Sequence, residues 1–188
     1  MELIVRDNYL PPKTFNLLYS KYQECQQKKE IQRDFFDYDP TPEIGHLINH
    51  FHEKRGYRKL AKFIHTAATP PNFQHPLHDE ADFKIMSAVV YIGPSHSHGT
   101  RFKLADEEFE VEWKPNRLMV FCGKTGVTWH DYKSDGLQRF TYNYFLVDPT
   151  KITNETYKTV RSIPKPQQTN TQPKRKKKNL NIFSNISQ

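Results

Sequence analysis

Cysteine is scarce in this chain, and long apolar runs are missing. Of its 188 residues only Cys25 and Cys122 are cysteines, which are too few and too far apart in sequence for a disulfide framework and which favour a reducing cytoplasm. No apolar run approaches membrane-spanning length. Residues 1–6 lack the basic start and the long apolar stretch of a secretory signal. We therefore expect a cytoplasmic protein.

Acidic residues are almost absent from the last fifth of the chain. Residues 1–150 contain 19 Lys or Arg and 20 Asp or Glu, a balance of −1, whereas residues 151–188 contain nine basic residues and one acid, a balance of +8. From about Arg161 the chain is rich in Pro, Gln, Thr and Asn, a composition typical of disorder. The sequence predicts one folded domain over 1–150, long enough for a sizeable core, and a basic, mostly disordered tail over 151–188.

The tail contains a dense cationic block, which is made of Lys174, Arg175, Lys176, Lys177 and Lys178. Such a block can hold phosphates by counterion release without reading sequence, dock on an acidic protein, or act as a nuclear import signal. A merely solubilising tail is an equally good interpretation. Because no aromatic residues interleave with the block, a base-stacking platform is not expected.

The middle of the chain has no helical periodicity but many short strand patterns separated by turn signals. The predicted strands cover residues 84–92, 100–104, 108–113, 117–122, 126–130 and 137–147. Residues 117–122 are mostly apolar, as in a strand buried on both faces. Short strands with frequent turns favour a jelly roll or barrel.

Two helical patterns precede these strands. Apolar residues recur at helical spacing from Thr14, a plausible N-cap, to about Lys29, and a second stripe follows Pro42. Stripes of this kind are packing surfaces far more often than ligand sites. We expect both helices to brace the sheet.

Two histidines and one carboxylate suggest a metal centre. His78 and Glu80 are one residue apart, and His130 lies fifty residues further on. Two histidines and one carboxylate can cap one face of a ferrous ion and leave the other face open, as in non-haem iron oxygenases. With nine histidines in the chain, one His-x-Asp/Glu match is expected by chance, so the pattern alone is weak. In an extended segment His78 and Glu80 share a face while Asp79 points away, which makes Glu80 the better candidate ligand.

The last predicted strand carries a polar row. Arg139, Thr141 and Asn143 share one face, and Phe140, Tyr142 and Tyr144 share the other. The polar row is either a solvated face or, if the aromatic residues pack outward against helices, part of the interior. In the second case it would form a pocket for an anion, since a guanidinium can hold a carboxylate with two parallel hydrogen bonds.

Other histidines compete for these roles. His96 and His98 form a second closely spaced pair, but they lie in an apparent loop, where solvated residues are the more ordinary interpretation. His75 could orient His78 from behind or be a plain strand-edge residue. His46 and His50 are spaced four apart on the predicted second helix, without a matching carboxylate, and we interpret them as surface residues.

The order of several signposts resembles a known family. They are Asn8-Tyr9-Leu10-Pro11-Pro12, His78-x-Glu80, residues 87–92, Gly99-Thr100-Arg101, residues 113–121, Trp129-His130 and Arg139-x-Thr141. Over residues 2–149 the chain resembles the iron(II)- and 2-oxoglutarate-dependent dioxygenases of prolyl-hydroxylase type, especially their small phage and bacterial members. The resemblance implies a mostly β fold with flanking α-helices, a double-stranded β-helix of jelly-roll, cupin-like form.

The resemblance also implies site roles. His78, Glu80 and His130 would bind Fe(II) as the catalytic metal centre. Arg139 would pair with the distal carboxylate of 2-oxoglutarate, assisted by the Tyr91 hydroxyl and by Thr141. Family members of this type usually have aspartate where this chain has Glu80, although glutamate serves in other branches of the superfamily.

The implied activity is hydroxylation of a C–H bond in a protein residue or a small molecule, with 2-oxoglutarate and O2 consumed and succinate and CO2 released. Two alternatives stay open: a non-catalytic jelly-roll module, such as a virion component, and a nucleic-acid-modifying oxygenase that uses the basic tail for affinity. The loops over 66–76 and 95–99 are where we expect substrate recognition.

Overall fold

The computed structural model describes residues 1–25, 32–34 and 61–152. Within these ranges the chain forms ten β-strands, one α-helix and a short 3-10 turn. The strands are β1 (Leu3–Arg6), β2 (Gln32–Asp34), β3 (Ala61–Thr69), β4 (Gln74–His78), β5 (Lys84–Gly93), β6 (Thr100–Lys103), β7 (Glu108–Val111), β8 (Leu118–Phe121), β9 (Trp129–Lys133) and β10 (Arg139–Val147). The helix α1 spans Pro12–Glu24, and the 3-10 turn spans Pro149–Lys151.

The strands form two antiparallel sheets. The larger has the order β1-β8-β5-β10-β3-β2, and the smaller has the order β4-β9-β6-β7. From β3 onwards the chain passes from one sheet to the other at every connection except the one between β6 and β7, as in a jelly roll. The predicted jelly-roll fold is confirmed.

The larger sheet is buried on both faces. Its outer face packs against α1. This core contains Leu18 and Tyr22 from the helix and, from the sheet, Met86, Val90, Leu118, Val120, Tyr142 and Tyr144. The inner face meets the smaller sheet through a second set of side chains, namely Tyr91, Phe102, Val111, Met119 and Phe121. Because side chains alternate along a strand, β8 contributes to both cores. The apolar run over 117–122 has the doubly buried position that its composition predicts.

The helix differs slightly from its prediction. It begins at Pro12, with Pro11 at the N-cap and without a side-chain cap, so Thr14 lies inside the helix and the N-cap assignment to Thr14 is wrong. Proline suits this first position because it has no N–H to leave unpaired. The helix ends at Glu24, earlier than the predicted Lys29. It has neither the length nor the apolar character needed to cross a bilayer, and the described residues include no other α-helix.

Some predicted elements lie outside the described residues. These are the second helix after Pro42, with His46 and His50, and the basic tail from residue 153 onwards with its cationic block. Among the strands, β9 begins at Trp129 and runs to Lys133, later than the predicted 126–130. The reason is that residues 124–128 form a tight turn, in which Val127 N and Thr128 N both donate to the Lys124 carbonyl.

Candidate active site

A cavity of about 280 Å³ lies between the two sheets. Its floor consists of side chains that alternate along the inner face of the larger sheet, in particular Phe63, His65 and Ala67 from β3 and Arg139, Thr141, Asn143 and Phe145 from β10. The polar row of β10 is thus interior, because Phe140 on the opposite face packs against Tyr22 of α1 at 6.2 Å between ring centroids. Of the two interpretations of this row, the structure supports the interior one.

Strand pairing brings the two candidate histidines together. His78 ends β4 and is the register partner of His130 in β9, and the two ring centroids are 4.2 Å apart. His78 Nδ1 lies 2.9 Å from the Pro76 carbonyl oxygen, and His130 Nδ1 lies 3.4 Å from that of Thr128. A carbonyl oxygen only accepts hydrogen bonds, so these contacts favour a proton on Nδ1 and leave Nε2 of each ring able to bind a metal.

Glu80 reaches the same cavity from the turn after β4. Its side chain is 2% exposed, and its Oε1 lies 3.8 Å from His130 Nε2. Strand alternation predicted that Glu80 would lie on the same face as His78. Because β4 ends at His78, the turn after the strand, and not alternation within it, directs Glu80 into the cavity. Asp79 is oriented elsewhere, since its Oδ2 accepts a hydrogen bond of 2.6 Å from Gly126 N.

The charge states of these groups suit a cation. Burial lowers the pKa of His130 to about 4, although the Glu80 charge acts in the opposite direction, and the ring is therefore neutral near pH 7. Burial by itself would raise the pKa of Glu80, but the charge and hydrogen bond of Lys84, aided by His130 and Ser87, outweigh it and leave the pKa lowered. A neutral imidazole beside an ionised carboxylate is the state that binds divalent metals.

The donor set fits a ferrous ion in chemistry, and the distance between one pair of donors is close to that required. Two donors at right angles, each about 2.1 Å from one ion, are roughly 3 Å apart, against 3.8 Å between Glu80 Oε1 and His130 Nε2. Among the described residues, no three His, Cys, Asp or Glu side chains already stand in ligating geometry. A small side-chain movement would close the gap. The ligand roles of His78, Glu80 and His130 remain predictions that this proximity makes physically feasible.

Arg139 forms the other end of the cavity as a buried cation. It is 3% exposed, its Nη2 donates to Thr100 Oγ1 at 3.3 Å, and its buried Nε has no hydrogen-bond partner. Within residues 1–25 and 61–152, no carboxylate forms an ion pair with it. Burial lowers the pKa of Arg139, while Tyr91 and Tyr132 raise it, but a guanidinium remains charged near neutral pH.

Aromatic rings surround this guanidinium. Its carbon lies 4.2 Å from the ring centroid of Tyr132, 5.0 Å from that of Trp113 and 5.3 Å from that of Tyr91. Cation–π contacts stabilise a buried guanidinium but do not neutralise it. An unpaired buried charge is costly, so this arrangement indicates a binding place for an anionic group that enters the cavity.

Thr141 and Tyr91 occupy different positions. Thr141 is buried and lines the cavity, as its predicted role requires. Tyr91 is fully buried behind Thr100, to whose Oγ1 its hydroxyl donates at 2.8 Å, so Thr100 and not Tyr91 lines the wall here. Burial raises the pKa of Tyr91 despite the lowering effect of Arg139, which keeps the hydroxyl a donor. Tyr91 therefore lies beside Arg139, but its hydroxyl contacts Thr100 and does not line the cavity. Its predicted role at the co-substrate carboxylate stays a prediction.

Sequence reasoning did not identify several residues that complete the site. Ser87 and Lys84 contact the Glu80 carboxylate, and Thr100, Trp113 and Tyr132 surround Arg139. Lys84, Ser87 and Tyr132 are near their partners in sequence, but only the course of the connecting loops brings them into contact, whereas Thr100 and Trp113 reach Arg139 from distant segments. The one available signal was Ser87, a hydroxyl inside an otherwise apolar strand.

Three of the competing histidines lie within the described residues. His75 lines the cavity, lies 4.3 Å from the ring of His78 and stacks on Tyr132 at 4.8 Å. His96 and His98 lie in the loop between β5 and β6, away from the cavity. Loop positions agree with the ordinary interpretation of this pair.

No family model matches the sequence, and no curated protein is significantly similar to it. Solved structures are similar in fold. A prolyl-4-hydroxylase from Pseudomonas putida aligns with 20% identity and a TM-score of 0.59, over 78% of this chain and 92% of that one. A prolyl hydroxylase from Trichoplax adhaerens, in complex with a hypoxia inducible factor peptide fragment, aligns with 11% identity and a TM-score of 0.64. The alignment covers 79% of this chain and 84% of that one.

A viral neighbour completes the comparison. The viral collagen prolyl hydroxylase of Paramecium bursaria Chlorella virus-1, in its 2OG complex, aligns with 10% identity and a TM-score of 0.58, over 78% of this chain and 96% of that one. These alignments span nearly the whole of each neighbour. The chain therefore has the jelly-roll fold of the prolyl-hydroxylase-type 2OG-Fe(II) oxygenases, the fold that its sequence resemblance implied.

Proposed function

We propose that this protein is an Fe(II)- and 2-oxoglutarate-dependent dioxygenase. The observation that supports this most directly is the buried guanidinium of Arg139, which lines the same cavity as His78, Glu80 and His130. Its Nε has no hydrogen-bond partner, and no carboxylate of the described residues forms an ion pair with it. A cation at one end and three side chains of metal-ligating type at the other would match a ligand with an anionic tail and a chelating head, and 2-oxoglutarate has both. The shared fold supports the same assignment.

The proposed roles follow from the contacts. His78, Glu80 and His130 would hold the ferrous ion, which when bound supplies the oxidative decarboxylation of 2-oxoglutarate by O2, to succinate and CO2, that is coupled to hydroxylation of a substrate C–H bond. Arg139 would hold the distal carboxylate of the co-substrate, with Thr141 beside it.

Aromatic side chains pack on both groups. Phe102 and Phe121 pack on the ring of His130, with centroids 5.7 and 5.2 Å away. Trp113 and Tyr132 cover the guanidinium of Arg139. A charge pair formed between Arg139 and a bound carboxylate is therefore poorly screened, which strengthens it relative to a pair in water.

We propose a protein residue, or a small molecule of similar size, as the substrate. The cavity side next to Glu80 is apolar, because Phe63 and Phe145 are register partners on its floor and Phe83 lines it as well. Aromatic walls suit an uncharged, compact group such as a prolyl ring. The peptide held by the Trichoplax neighbour favours a protein residue.

We place the oxygenase domain at residues 1–150 and treat residues 151–188 as a separate basic tail. The end of β10 at Val147 and of the 3-10 turn at Lys151 supports this division. The cationic block Lys174–Lys178 is assigned no part in the chemistry.

The direct test is an anaerobic titration of the full chain with Fe(II) and 2-oxoglutarate. We expect a weak charge-transfer absorption that needs both components, and, once O2 is admitted, conversion of 2-oxoglutarate into succinate. Glutarate, which lacks the keto group, is the matched control and should give no band. A chain that binds neither component would contradict the proposal and favour the non-catalytic jelly-roll module.

A further inference from the structure

Each oxygen of the Glu80 carboxylate contacts another side chain, Oε1 through a hydrogen bond and Oε2 through an ion pair. Ser87 Oγ donates to Oε1 at 2.9 Å, and Lys84 Nζ lies 2.8 Å from Oε2. Oε1 is also the oxygen that faces His130 Nε2. The ion pair with Lys84 therefore turns Oε2 away from the imidazoles and leaves Oε1 towards them.

The stem of Glu80 runs over a glycine. A Cβ built on Gly123 would lie 2.2 Å from Glu80 Cγ and 2.3 Å from its Cβ, closer than real Cβ contacts come. Gly123 lies two residues beyond the end of β8, and the absence of a side chain there leaves room for the stem of Glu80. Any side chain at 123 would have to displace Glu80.

The same loop fixes the backbone of the carboxylate segment. Thr125 Oγ1 donates to the Glu80 carbonyl oxygen at 3.0 Å, and Gly126 N donates to Asp79 Oδ2 at 2.6 Å. The loop then leads into β9, which carries His130. One loop thus ties down Glu80 and positions one of its two histidine neighbours.

We propose that this site is built for glutamate: Ser87 and Gly123 are positioning residues for the Glu80 carboxylate, and aspartate cannot replace it. This inference rests on the proposed function, because it assigns Glu80 to metal binding. It runs against the simplest expectation from the resembling family, in which aspartate at this position is the usual ligand.

The physical reason is reach. An aspartate at position 80 is one carbon–carbon bond shorter, about 1.5 Å, so its carboxylate would fall short of both Ser87 and Lys84. Since Glu80 is only 2% exposed, losing these two contacts would leave its charge with less compensation. The carboxylate would rotate towards whichever donor it could reach, away from the position that faces His130.

Mn(II) is a suitable probe, since it prefers the same oxygen and nitrogen donors and its free form is measured directly by electron paramagnetic resonance. In the full chain we expect Glu80→Asp to weaken Mn(II) binding by about 10- to 100-fold, the range typical of disturbed support around a metal ligand. Glu112→Asp, at an exposed position outside the cavity, is the matched control and should leave the affinity unchanged. Equal Mn(II) affinity in Glu80→Asp and wild type would overturn the inference.

The positioning role is tested by Ser87→Ala and Gly123→Ala. We expect each to weaken Mn(II) binding at least several-fold and to alter the position or intensity of the Fe(II)–2-oxoglutarate absorption band. Ser20→Ala, which removes an exposed hydroxyl on α1, is the control for the serine change. A melting temperature that falls while Mn(II) affinity and the band stay unchanged would reduce both residues to structural roles and overturn the proposal.

The results also separate this inference from the proposed function. If Gly123→Ala does not fold, Ser87→Ala still decides, because removing one hydroxyl creates no steric overlap. If the wild-type chain binds no Mn(II), the proposed function and this inference fail together. If the wild type binds Mn(II) and 2-oxoglutarate but Glu80→Asp and Ser87→Ala bind equally well, the inference alone fails.

Discussion

The ring of Tyr132 lies between Arg139 and His75. Its centroid is 4.2 Å from the guanidinium carbon of Arg139 and 4.8 Å from the ring centroid of His75, on which it stacks at 29°. His75 in turn contacts His78. A continuous series of side chains therefore connects the candidate anion-binding end of the cavity with the candidate metal-binding end, so a change at Tyr132 should affect co-substrate binding.

Replacing Tyr132 with leucine should weaken 2-oxoglutarate binding by about 0.5 to 2 kcal/mol, because the cation–π contact that orients Arg139 is lost. Tyr132→Phe keeps the ring and should bind nearly as well as wild type. Calorimetric titration of the Mn(II)-loaded full chain measures both. An equal loss of 2-oxoglutarate affinity in Tyr132→Leu and Tyr132→Phe would mean that the hydroxyl of Tyr132, and not its ring, supports co-substrate binding.

Replacing Arg139 with alanine should have a larger effect on the same measurement. Loss of a charged, hydrogen-bonded contact costs about 2 to 3 kcal/mol, or roughly 30- to 150-fold in Kd. Arg6→Ala, on the exposed end of β1, is the control. Added guanidinium ion should restore part of the affinity to Arg139→Ala by filling the vacated space. If Arg139→Ala bound 2-oxoglutarate as tightly as wild type in the absence of guanidinium ion, Arg139 would be excluded from the anion site.

The two neighbouring carboxylates should differ in their importance. Asp79→Ala removes only the acceptor for Gly126 N, so most 2-oxoglutarate turnover should remain, with a stability loss of about 1 kcal/mol. His130→Ala should abolish metal-dependent turnover. Succinate formation by the full chain measures both. Comparable losses would show that Asp79 contributes directly to the site.

The sequence was most informative where structure depends on local alternation. The faces of β10 follow directly from the order of Arg139, Phe140 and Thr141, and the doubly buried position of β8 follows from its apolar run. Both features are set within one strand. Only the direction of the polar row required knowledge of what packs against the aromatic face, which α1 provides through Tyr22.

The rest of the site depends on contacts between distant segments. Ser87 meets Glu80 because the loop between β4 and β5 brings Glu80 back over its own strand β5, and Gly123, just beyond β8, lies against the Glu80 side chain. Alternation placed Glu80 with His78 as if both were in one strand, yet a turn produces that placement. Such convergence is set by sheet register, which a single sequence does not encode in any short window.

The packing behind His130 leads to a prediction about stability. Phe102 is fully buried and contacts Phe109, Phe121 and the ring of His130. Phe102→Ala should cost about 3 to 5 kcal/mol of unfolding free energy, since it removes a large buried side chain and leaves a cavity. Phe102→Leu should cost less. Urea denaturation measures both, and a loss below 1 kcal/mol for Phe102→Ala would mean that the two sheets repack readily.

His130 should also make the metal-free protein sensitive to acid. Its pKa falls from an ordinary value of 6.5 to about 4 on folding, so between these values the unfolded chain binds more protons and stability rises with pH. The stabilisation that comes from keeping His130 neutral is complete above pH 6.5. As the pH falls from 6.5 to 4, the free energy of unfolding should decrease by about 3 kcal/mol because of this group. Glu80, whose pKa is also lowered, adds a loss in the same direction below 4.5.

The His130→Gln variant isolates this contribution, because glutamine does not titrate and preserves a polar group of similar size. Urea denaturation from pH 4 to pH 7 should give a shallower pH dependence in His130→Gln than in wild type, with the difference concentrated between pH 4 and 6.5. His96→Gln, in the exposed loop, should follow the wild-type curve. Parallel curves for wild type and His130→Gln would mean that the imidazole of His130 is hydrated in solution and is not buried against Phe102 and Phe121.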